Sequence, residues 1–503
     1  GWDGAPWELI DPLLAQGRLP NLARLIERGI SADLLSTVVP ISSAAWIGAV
    51  TGRNPAETGV YGFFEPIEGT YEVSLISSRS NRATPIWRTL GRHGMRSVVV
   101  GMPVTYPPEP IAGAMVSGML APKESTYTWP PGLTARLREA GYVPDLGIWR
   151  EANSISGPVL ERQLRAKRRV VDELLAEQDW DLAWIVYKEL DVLSHFAYDG
   201  STDGYVAQLV QRLDEELGAL METVGPGTNV LVISDHGFHA FPASFYPHAW
   251  LLEEGYAVRS PDAPTAEDLE RLPLAQRRAL ENSLQMAELD LERTRAFAGL
   301  SEGNFGSVRL NLAGREPRGV VAPEEADALL DEIQQRLAAL RSPTGDRPLV
   351  ARFWRREELY SGPYEDLIPH LLFETDLDVA VRPISHSQSF QLHAPGLFPD
   401  HRREGILVGA GPSLRSIAER GQASILDVGP TALHLLGREV YAEMDGRVLT
   451  GLLQGVGEPR VVAAASEAPG SRERSWLEDT SWSDPDMEEI KSRLGQMGYV
   501  ETR

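Results

Sequence analysis

The sequence contains no cysteine among its 503 residues. This absence excludes disulfide bonds, zinc sites built on thiolates and mechanisms that use a cysteine nucleophile. A metal site in this chain must therefore draw its ligands from imidazoles and oxygen donors.

Long apolar runs and an excess of positive charge are also missing. No stretch of about 18 apolar residues occurs, so the sequence predicts no membrane-spanning helix, and it shows no signal peptide. From these absences we expect a cytoplasmic protein. The formal net charge is -23 at pH 7, which argues against binding of nucleic-acid duplexes through a basic surface. A small anionic substrate stays compatible with this charge, because metal ions can reverse the potential of one cleft.

Helical and strand-like patterns alternate in the first half of the chain. Segments 157–178 and 204–223 have helical periodicity, and each precedes an apolar strand that ends in charged residues. Shorter segments at 19–29 and 84–94 have the same helical character. This alternation predicts an α/β fold with a mainly parallel central sheet and helices on both faces. In such sheets ligands bind at the carboxyl ends of the strands.

The pattern changes near residue 251, and we divide the chain there. Residues 1–250 are predicted to form the first part of the core, and residues 251–399 an inserted cap. The cap contains Arg- and Glu-rich helical segments, at 264–294 and 323–341, around short strands such as GSVRLNL. Residues 400–455 would return to the core, and residues 456–503 would form a linker and a C-terminal helix. That helix is expected to dock through four apolar side chains, those of Ile490, Leu494, Met497 and Tyr499.

Two Asp–His pairs follow apolar strands. Asp235 and His236 come directly after NVLVIS, and Asp191 and His195 lie four residues apart, on one face if the segment is helical. Carboxylate and imidazole groups are suitable ligands for zinc or manganese. Each pair also has an ordinary explanation, as a turn cap in the first case and a helix-surface ion pair in the second.

Three further residues gain meaning only in combination. Taken alone, Asp3 is typical of an Asp–Gly turn and His401 of a surface loop. Ser42 begins a predicted helix, where a serine is often a cap. A helix N-terminus also favours an incoming phosphate through its N–H groups and its dipole. A nucleophilic role for Ser42 would require activation by a metal ion, because no His–Asp partner lies nearby in the sequence.

Together these segments resemble the alkaline phosphatase superfamily, and within it the type I phosphodiesterase/nucleotide pyrophosphatase branch. The segments that match in the family's order are GWDGAPWELIDPLL, PISSAAWIGAVTGRNPAETGVYGF, ELDVLSHF, ISDHGF and HRREGILVGAGP. The later DVGPTALHLLGREVYAEMDGRVL resembles the closing helix and loop of the superfamily. The resemblance implies an alkaline-phosphatase-like core and a two-metal phosphodiesterase or phosphohydrolase.

The resemblance also implies the ligand sets. One divalent ion would be bound by Asp191, His195 and His401. The other would be bound by Asp3, Asp235 and His236, with Ser42 bridging towards it. Zinc suits these ligands best, with manganese as the alternative. Ser42 would then attack a small phosphate ester and form a phosphoseryl or nucleotidyl-seryl intermediate.

One position departs from the family pattern. Nucleotide pyrophosphatases of this branch carry an Asn three residues after the nucleophile, and this chain has Ala45 there. Either another group binds the phosphate oxygen or the substrate is not a standard nucleotide diester. The candidate donors, each of which is explained as well by a core or surface role, are Lys188, His239, His248 and Asn304. Three aromatic residues could line the pocket or belong to the core, namely Trp46, Tyr61 and Phe63.

Other functions stay open at this level. A phosphomonoesterase is one alternative, and a phosphotransferase resembling cofactor-independent phosphoglycerate mutase is another. The mutases carry a large inserted domain soon after their serine, whereas only about 150 residues separate Ser42 from Asp191 here. A sulfatase fits less well, because Ser42 is followed by Ser-Ala-Ala and not by the signature needed to oxidise the nucleophile. The alternative that is not an enzyme is a non-catalytic protein with the same fold. Against it, this chain retains all six metal-ligand residue types and the serine of the family.

Overall fold

The computed structural model describes residues 1–145, 157–263, 286, 288–382, 386–394, 398–463, 486–487, 490–491 and 494. Most of the predicted helix at 264–294 lies outside these residues, as do Met497, Tyr499 and most of the 456–503 segment. Within the described residues, no helix is both long and apolar enough to cross a membrane.

Helices form where the sequence has apolar residues at helical spacing. Several begin with proline at their first or second position, where its missing N–H costs nothing. The helices are α1 (Trp7–Ala15), α2 (Pro20–Arg28), α3 (Ser42–Thr51), α4 (Pro55–Thr58), α5 (Ile86–Arg92), α6 (Leu133–Glu139), α7 (Gly157–Glu177), α8 (Glu189–Ala197), α9 (Tyr205–Val224), α10 (Pro247–Glu253), α11 (Ala326–Ala339), α12 (Arg356–Leu359) and α13 (Val428–Leu435). Short 3₁₀ turns occupy Pro323–Glu325, Glu365–Leu367, Ile425–Asp427 and Thr450–Leu452.

The strands follow the short apolar runs of the sequence. In the first half they are β1 (Ile30–Leu35), β2 (Phe64–Pro66), β3 (Val73–Leu75), β4 (Ser97–Met102), β5 (Gly113–Ser117), β6 (Thr128–Trp129), β7 (Leu182–Ile185), β8 (Val230–Ile233), β9 (Gly237–Ala240) and β10 (Ala243–Phe245). In the second half they are β11 (Ala296–Ala298), β12 (Phe305–Leu310), β13 (Val350–Arg355), β14 (Leu371–Thr375), β15 (Val379–Val381), β16 (Phe390–Leu392), β17 (Pro399–Arg402), β18 (Glu404–Ala410), β19 (Gly421–Ser424), β20 (Val440–Tyr441) and β21 (Val461–Val462).

Two four-stranded sheets form the core, in the orders β6-β5-β4-β7 and β8-β18-β1-β19. Residues 1–3 lie between them. On one side Tyr187 N–H donates to Gly1 O at 2.8 Å, and Asp3 N–H donates to Tyr187 O at 3.1 Å. On the other side Trp2 N–H donates to Ile233 O, at the end of β8, at 2.8 Å. The first residues therefore connect the two sheets through backbone hydrogen bonds, and Asp3 lies at the middle of the combined sheet.

This core sheet is mixed, whereas the sequence predicted a mainly parallel one. Strand β4 is parallel to β5 and β7, and β1 is parallel to β19. Strand β18 is antiparallel to both β1 and β8, and β6 is antiparallel to β5. An apolar run reports burial but not strand direction. The direction of β18 follows from its entry through β17, which ends two residues before it, without a crossover helix.

A third four-stranded sheet, which is antiparallel and has the order β11-β12-β14-β13, lies within residues 251–399, the predicted cap. Its strand β12 and helix α11 match the predicted strand GSVRLNL and the predicted helix at 323–341. Helix α11 packs Leu329, Ile333 and Leu337 into the apolar cluster of this sheet. The division of the chain into core, cap and return segment stays a prediction.

Two described residues near the C-terminus lie in the core, and the predicted docking helix as a whole stays a prediction. Ile490 and Leu494 are each 1% exposed and share an apolar cluster with residues that flank Ser42, namely Ile41 and Ala44. Ile490 and Leu494 therefore pack against the part of the core that carries the predicted nucleophile.

A buried ion pair joins α7 to the first turn of α8. Lys167 Nζ donates to both carboxylate oxygens of Glu189, at 2.6 and 2.8 Å, and to Val186 O at 3.1 Å. The two side chains are only 5% and 4% exposed. Burying charges is costly, and removing one partner leaves the other uncompensated. The pair therefore fixes the start of the helix that carries Asp191 and His195.

We expect Lys167→Met to lower the free energy of unfolding by about 3 to 5 kcal/mol, because Glu189 would become a buried, unpaired charge. Chemical denaturation followed by circular dichroism measures this change. Arg169→Met is the matched control on the same helix, since Arg169 pairs with Glu173 at the surface and should cost less than about 1 kcal/mol. An equal loss of unfolding free energy in the two variants would contradict a stabilising role for the buried pair of Lys167 and Glu189.

Candidate active site

The structure brings the predicted metal ligands together at one edge of the core sheet. Asp3 follows the extended residues between the two sheets, and α8 carries Asp191 and His195 just beyond β7. Asp235 and His236 follow β8, and His401 lies on β17. Five of these residues are at most 3% exposed, and the side chain of His195 is 5% exposed. The surface-loop explanation for His401 is therefore wrong. The turn predicted at Asp3 and Gly4 is present, with Gly4 at φ +72°, but Asp3 is buried within it.

Asp191, His195 and His401 form a compact triangle. His401 Nε2 lies 3.1 Å from Asp191 Oδ1 and 3.1 Å from His195 Nε2, and His195 Nε2 lies 3.4 Å from Asp191 Oδ1. His401 Nδ1–H donates to Pro40 O at 2.8 Å, which leaves a lone pair on Nε2. Neighbouring ligands of a tetrahedral zinc ion lie about 3.3 Å apart when each bond is about 2.0 Å long. The triangle therefore fits the ligand set of one ion.

Asp3, Asp235 and His236 form a second triangle beside the first. His236 Nε2 lies 3.2 Å from Asp235 Oδ2 and 3.7 Å from Asp3 Oδ1. The other oxygens of these carboxylates accept hydrogen bonds, from Trp46 Nε1 at 2.9 Å for Asp3 and from Gly4 N at 3.2 Å for Asp235. Asp3 Oδ1 and Asp235 Oδ2 are buried and have no hydrogen-bond partner among the described residues. A buried carboxylate oxygen in this state fits a cation ligand.

The two triangles adjoin each other. The rings of His236 and His401 stack with centroids 3.5 Å apart, and His236 Nε2 is also 3.9 Å from Asp191 Oδ1. His236 can thus be grouped with Asp191 and His401 as well as with Asp3 and Asp235. The assignment of three ligands to each of two ions therefore stays a prediction.

The electrostatics of the site point to the same need for cations. Burial raises the pKa of Asp3 well above its ordinary value, and repulsion by Asp235 and Asp191 raises it further. Burial, followed by the charge on Asp191, raises the pKa of Asp235 to about 7. Burial and the neighbouring His401 lower the pKa of His236 to about 4, so its imidazole is neutral and has a lone pair to offer. Cations at this position would stabilise the ionised carboxylates.

Ser42 lies at the first residue of α3 and is 1% exposed. Its Oγ is 3.1 Å from His236 Nε2, so the structure brings the serine to the second triangle although 194 residues separate the two in sequence. The residue before the helix is Ile41, whose side chain cannot cap the first-turn N–H groups. The N-terminus of α3 therefore faces the site without a side-chain cap.

The four candidate donors for a phosphate oxygen each have a partner of their own. Lys188 forms a buried ion pair with Asp145, and His248 bonds to Glu288. The other two, His239 and Asn304, bond to Glu8 Oε2 at 2.9 Å and to Thr375 O at 2.7 Å. These contacts do not identify the group that replaces the missing Asn, and Ala45 is fully buried in α3.

The three aromatic residues considered for the pocket are buried in the structure. Trp46 and Phe63 are 0% and 1% exposed and belong to apolar clusters, and Tyr61 is 8% exposed. The core explanation is the one that the structure supports. Trp46 has an additional role, because its indole N–H holds Asp3.

The sequence analysis did not identify two acidic residues that contact His401, namely Asp400 and Glu302. Asp400 Oδ1 accepts the N–H of His401 at 2.7 Å, and Arg382 donates to Asp400 Oδ2 at 2.9 Å. Glu302 Oε1 lies 3.8 Å from His401 Nδ1, and burial followed by repulsion from Asp400 raises the pKa of Glu302 well above its ordinary value. Asp400 could have been noticed as the neighbour of His401. Glu302 comes from the cap segment, where no local pattern marks it.

Gly303 shows how closely the cap approaches this ligand. Its φ is +60°, and a Cβ at this position would lie 1.9 Å from His401 O. Only glycine tolerates both the backbone conformation and the close approach.

Comparisons with known proteins identify the family and the fold of the chain. The sequence matches the model of the type I phosphodiesterase/nucleotide pyrophosphatase family over residues 1–391. Phosphonoacetate hydrolase from Sinorhizobium meliloti has a similar structure, with a TM-score of 0.57 and 17% identity over 86% of this chain and 94% of that chain. Murine ectonucleotide pyrophosphatase/phosphodiesterase 5 matches with a TM-score of 0.50 and 14% identity over 90% of this chain and 98% of that chain. At these identities the structures show a shared fold, the alkaline-phosphatase-like α/β fold. No curated protein sequence matches the chain.

We expect Trp46→Phe to weaken binding of a divalent ion by about 10- to 100-fold, because Asp3 would lose the hydrogen bond that orients it. Zinc titration of the metal-depleted protein by calorimetry measures the affinity. Trp184→Phe is the control, since Trp184 packs edge-on against Trp46 at 6.3 Å but its own Nε1 has no partner among the described residues. An equal loss of affinity in both variants would assign the effect to packing.

Proposed function

The chain belongs to the type I phosphodiesterase/nucleotide pyrophosphatase family, and from this premise we propose that it hydrolyses phosphate esters with two divalent ions and with Ser42 as nucleophile. The observation that carries the proposal is the position of Ser42 Oγ, 3.1 Å from His236 Nε2, beside two adjoining triangles of carboxylate and imidazole ligands. The membership itself assigns the chain to the phosphoester hydrolases. The metal ions and the covalent intermediate are the proposed part.

The residues fit the two ions by their donor chemistry. Asp191, His195 and His401 would hold one, and Asp3, Asp235 and His236 the other. Mixed imidazole and carboxylate ligands favour zinc, with manganese as the alternative. When bound, such ions neutralise phosphate charge and lower the pKa of a coordinated hydroxyl or water.

Ser42 performs the first chemical step in this proposal. Its ionised Oγ attacks phosphorus in line with the leaving oxygen, the bond from phosphorus to that oxygen breaks, and a phosphoseryl intermediate forms. Water then attacks the same phosphorus, releases the phosphorylated product and regenerates Ser42. Burial of the site restricts competing attack by bulk water.

The N-terminus of α3 is our candidate for the donor that replaces the missing Asn. Because Ile41 provides no side-chain cap, the first-turn N–H groups of Ser42 and Ser43 are available to oxygens of a phosphoryl group on Ser42. The short side chain of Ala45 leaves this end of the helix without a competing amide.

We expect Ser42→Ala to retain its metal ions, at about two per chain, and to lose turnover by about a thousandfold or more. The serine lies beside the ligands but its removal leaves all six in place. Metal analysis and steady-state assays measure the two quantities. Ser43→Ala, on the next residue of the same helix, should stay active. A fully active Ser42→Ala would refute the nucleophile, and a wild-type protein that binds no transition metal would favour a non-catalytic member of the fold.

We expect bis-p-nitrophenyl phosphate to be a better substrate than p-nitrophenyl phosphate, with a higher kcat/KM. The expectation follows from the match of residues 1–391 to the type I phosphodiesterase/nucleotide pyrophosphatase family. Side-by-side assays decide between them, with phosphonoacetate as a third compound because a phosphonoacetate hydrolase shares the fold. A preference for the monoester would favour a phosphomonoesterase or a phosphotransferase, and a preference for phosphonoacetate would move the substrate class to phosphonates.

A further inference from the structure

Residues 356–368, which we name the strap, run from α12 to the start of β14 and cross the core beside α3. The strap contacts the loop that precedes Ser42. Tyr360 Oη accepts a hydrogen bond from Val38 N–H at 2.7 Å. Val38 and Val39 are each 1% exposed and share an apolar cluster with Ile368 of the strap. The cap segment thus reaches the backbone four residues before the nucleophile.

The strap also contacts the chain beyond the other end of α3. Asn54 Nδ2 donates to Ser361 O at 3.1 Å, and Tyr364 N–H donates to Ala56 O at 2.9 Å. Gly362 permits this contact, because a Cβ there would lie 2.6 Å from Ala56 O. The strap therefore brackets α3, with bonds before its first residue and after its last.

The cap sheet holds the strap in turn. Arg309, on β12, donates from its guanidinium to Asp366 O at 3.0 Å and to Leu367 O at 2.6 Å. Arg315 donates to Asp366 O as well. Charged donors on carbonyl oxygens make strong hydrogen bonds. A rigid sheet is thereby linked through the strap to the segment that carries Ser42.

Within the loop before Ser42, Tyr360 bonds to the stretch between two points at which other segments hold the backbone. At one end Ser36 N–H donates to Arg403 O at 3.0 Å, and at the other His401 Nδ1–H donates to Pro40 O at 2.8 Å. Val38 lies between these points, and its N–H depends on the tyrosine oxygen. Leaving a buried N–H without an acceptor is unfavourable, so the loop would move to find another. Burial raises the pKa of Tyr360 to about 12, which keeps the hydroxyl neutral.

We propose that Tyr360 is a positioning residue, which sets the place of Ser42 relative to the metal ligands through the loop at 36–41. The inference rests on the proposed role of Ser42 as nucleophile. Tyr360 contacts the backbone of the loop and none of the reacting atoms, so it acts through Ser42. The cap would accordingly contribute to the rate of the chemical step as well as to substrate selection.

The test is Tyr360→Phe, which removes one oxygen and keeps the ring. We expect kcat to fall by roughly 10- to 100-fold, the effect of a small misplacement of a reacting group. KM and metal content should stay within about twofold of wild type. The control is Tyr364→Phe, because Tyr364 bonds to the core through its backbone N–H, which the substitution keeps. Its kcat should match wild type.

A quenched-flow measurement of phosphoseryl formation on Ser42 separates positioning from general destabilisation. Slower formation in Tyr360→Phe at full metal occupancy supports the inference. A wild-type rate, an equal loss in Tyr364→Phe or a loss of metal overturns it. The activity of Ser42→Ala distinguishes a failure of the positioning role from a failure of the proposed function. If Ser42→Ala is inactive and Tyr360→Phe is unchanged, only the positioning role fails, whereas an active Ser42→Ala removes the basis of both.

Discussion

The burial of three aspartates around one point is the constraint on which the rest of this structure depends. Asp3, Asp191 and Asp235 are each at most 3% exposed, and two of their oxygens lack a hydrogen-bond donor among the described residues. Repulsion and desolvation oppose such an arrangement in a protein interior. The fold maintains it with specific contacts, from Trp46 to Asp3 and from the Gly4 N–H to Asp235. A site of this kind is explained by the cations that would compensate its charge.

The core sheet supplies the geometry for this cluster. Backbone hydrogen bonds place residues 1–3 between Tyr187 and Ile233, so the two four-stranded sheets meet at the segment that ends in Asp3. The turns after β7 and β8 emerge at the same edge and deliver one Asp–His pair each. Strand β17 carries His401 and is antiparallel to β9, where His401 lies opposite Phe238. Ligands from four separate segments converge because their strands are neighbours in space.

Residues of segment 251–399, the predicted cap, lie against the site on the side of His401 Nδ1. Glu302 Oε1 lies 3.8 Å from Nδ1 of His401. The backbone at Gly303 approaches His401 O so closely that a side chain there would clash. The strap reaches Val38 through Tyr360. His401 in turn donates to Pro40 O, which links a metal ligand to the loop before Ser42. Tyr360 and His401 thus both bond to the loop before Ser42, which gives segment 251–399 a route to influence the position of this serine.

Local patterns in the sequence determined the elements and the two Asp–His pairs, because helical periodicity, apolar runs and strand-end residues are properties of chain neighbours. The same patterns located Ser42 at a helix start, where the structure has it. Only the tertiary structure decided that β18 runs antiparallel, that Asp3 lies between two sheets and that His401 is buried beside Asp191, 210 residues away. It also decided that Glu302 lies beside His401 and that Tyr360 bonds to the loop before Ser42. These features depend on which distant segments meet, and the free energy that selects those contacts comes from packing of the whole core, which no short stretch of sequence contains.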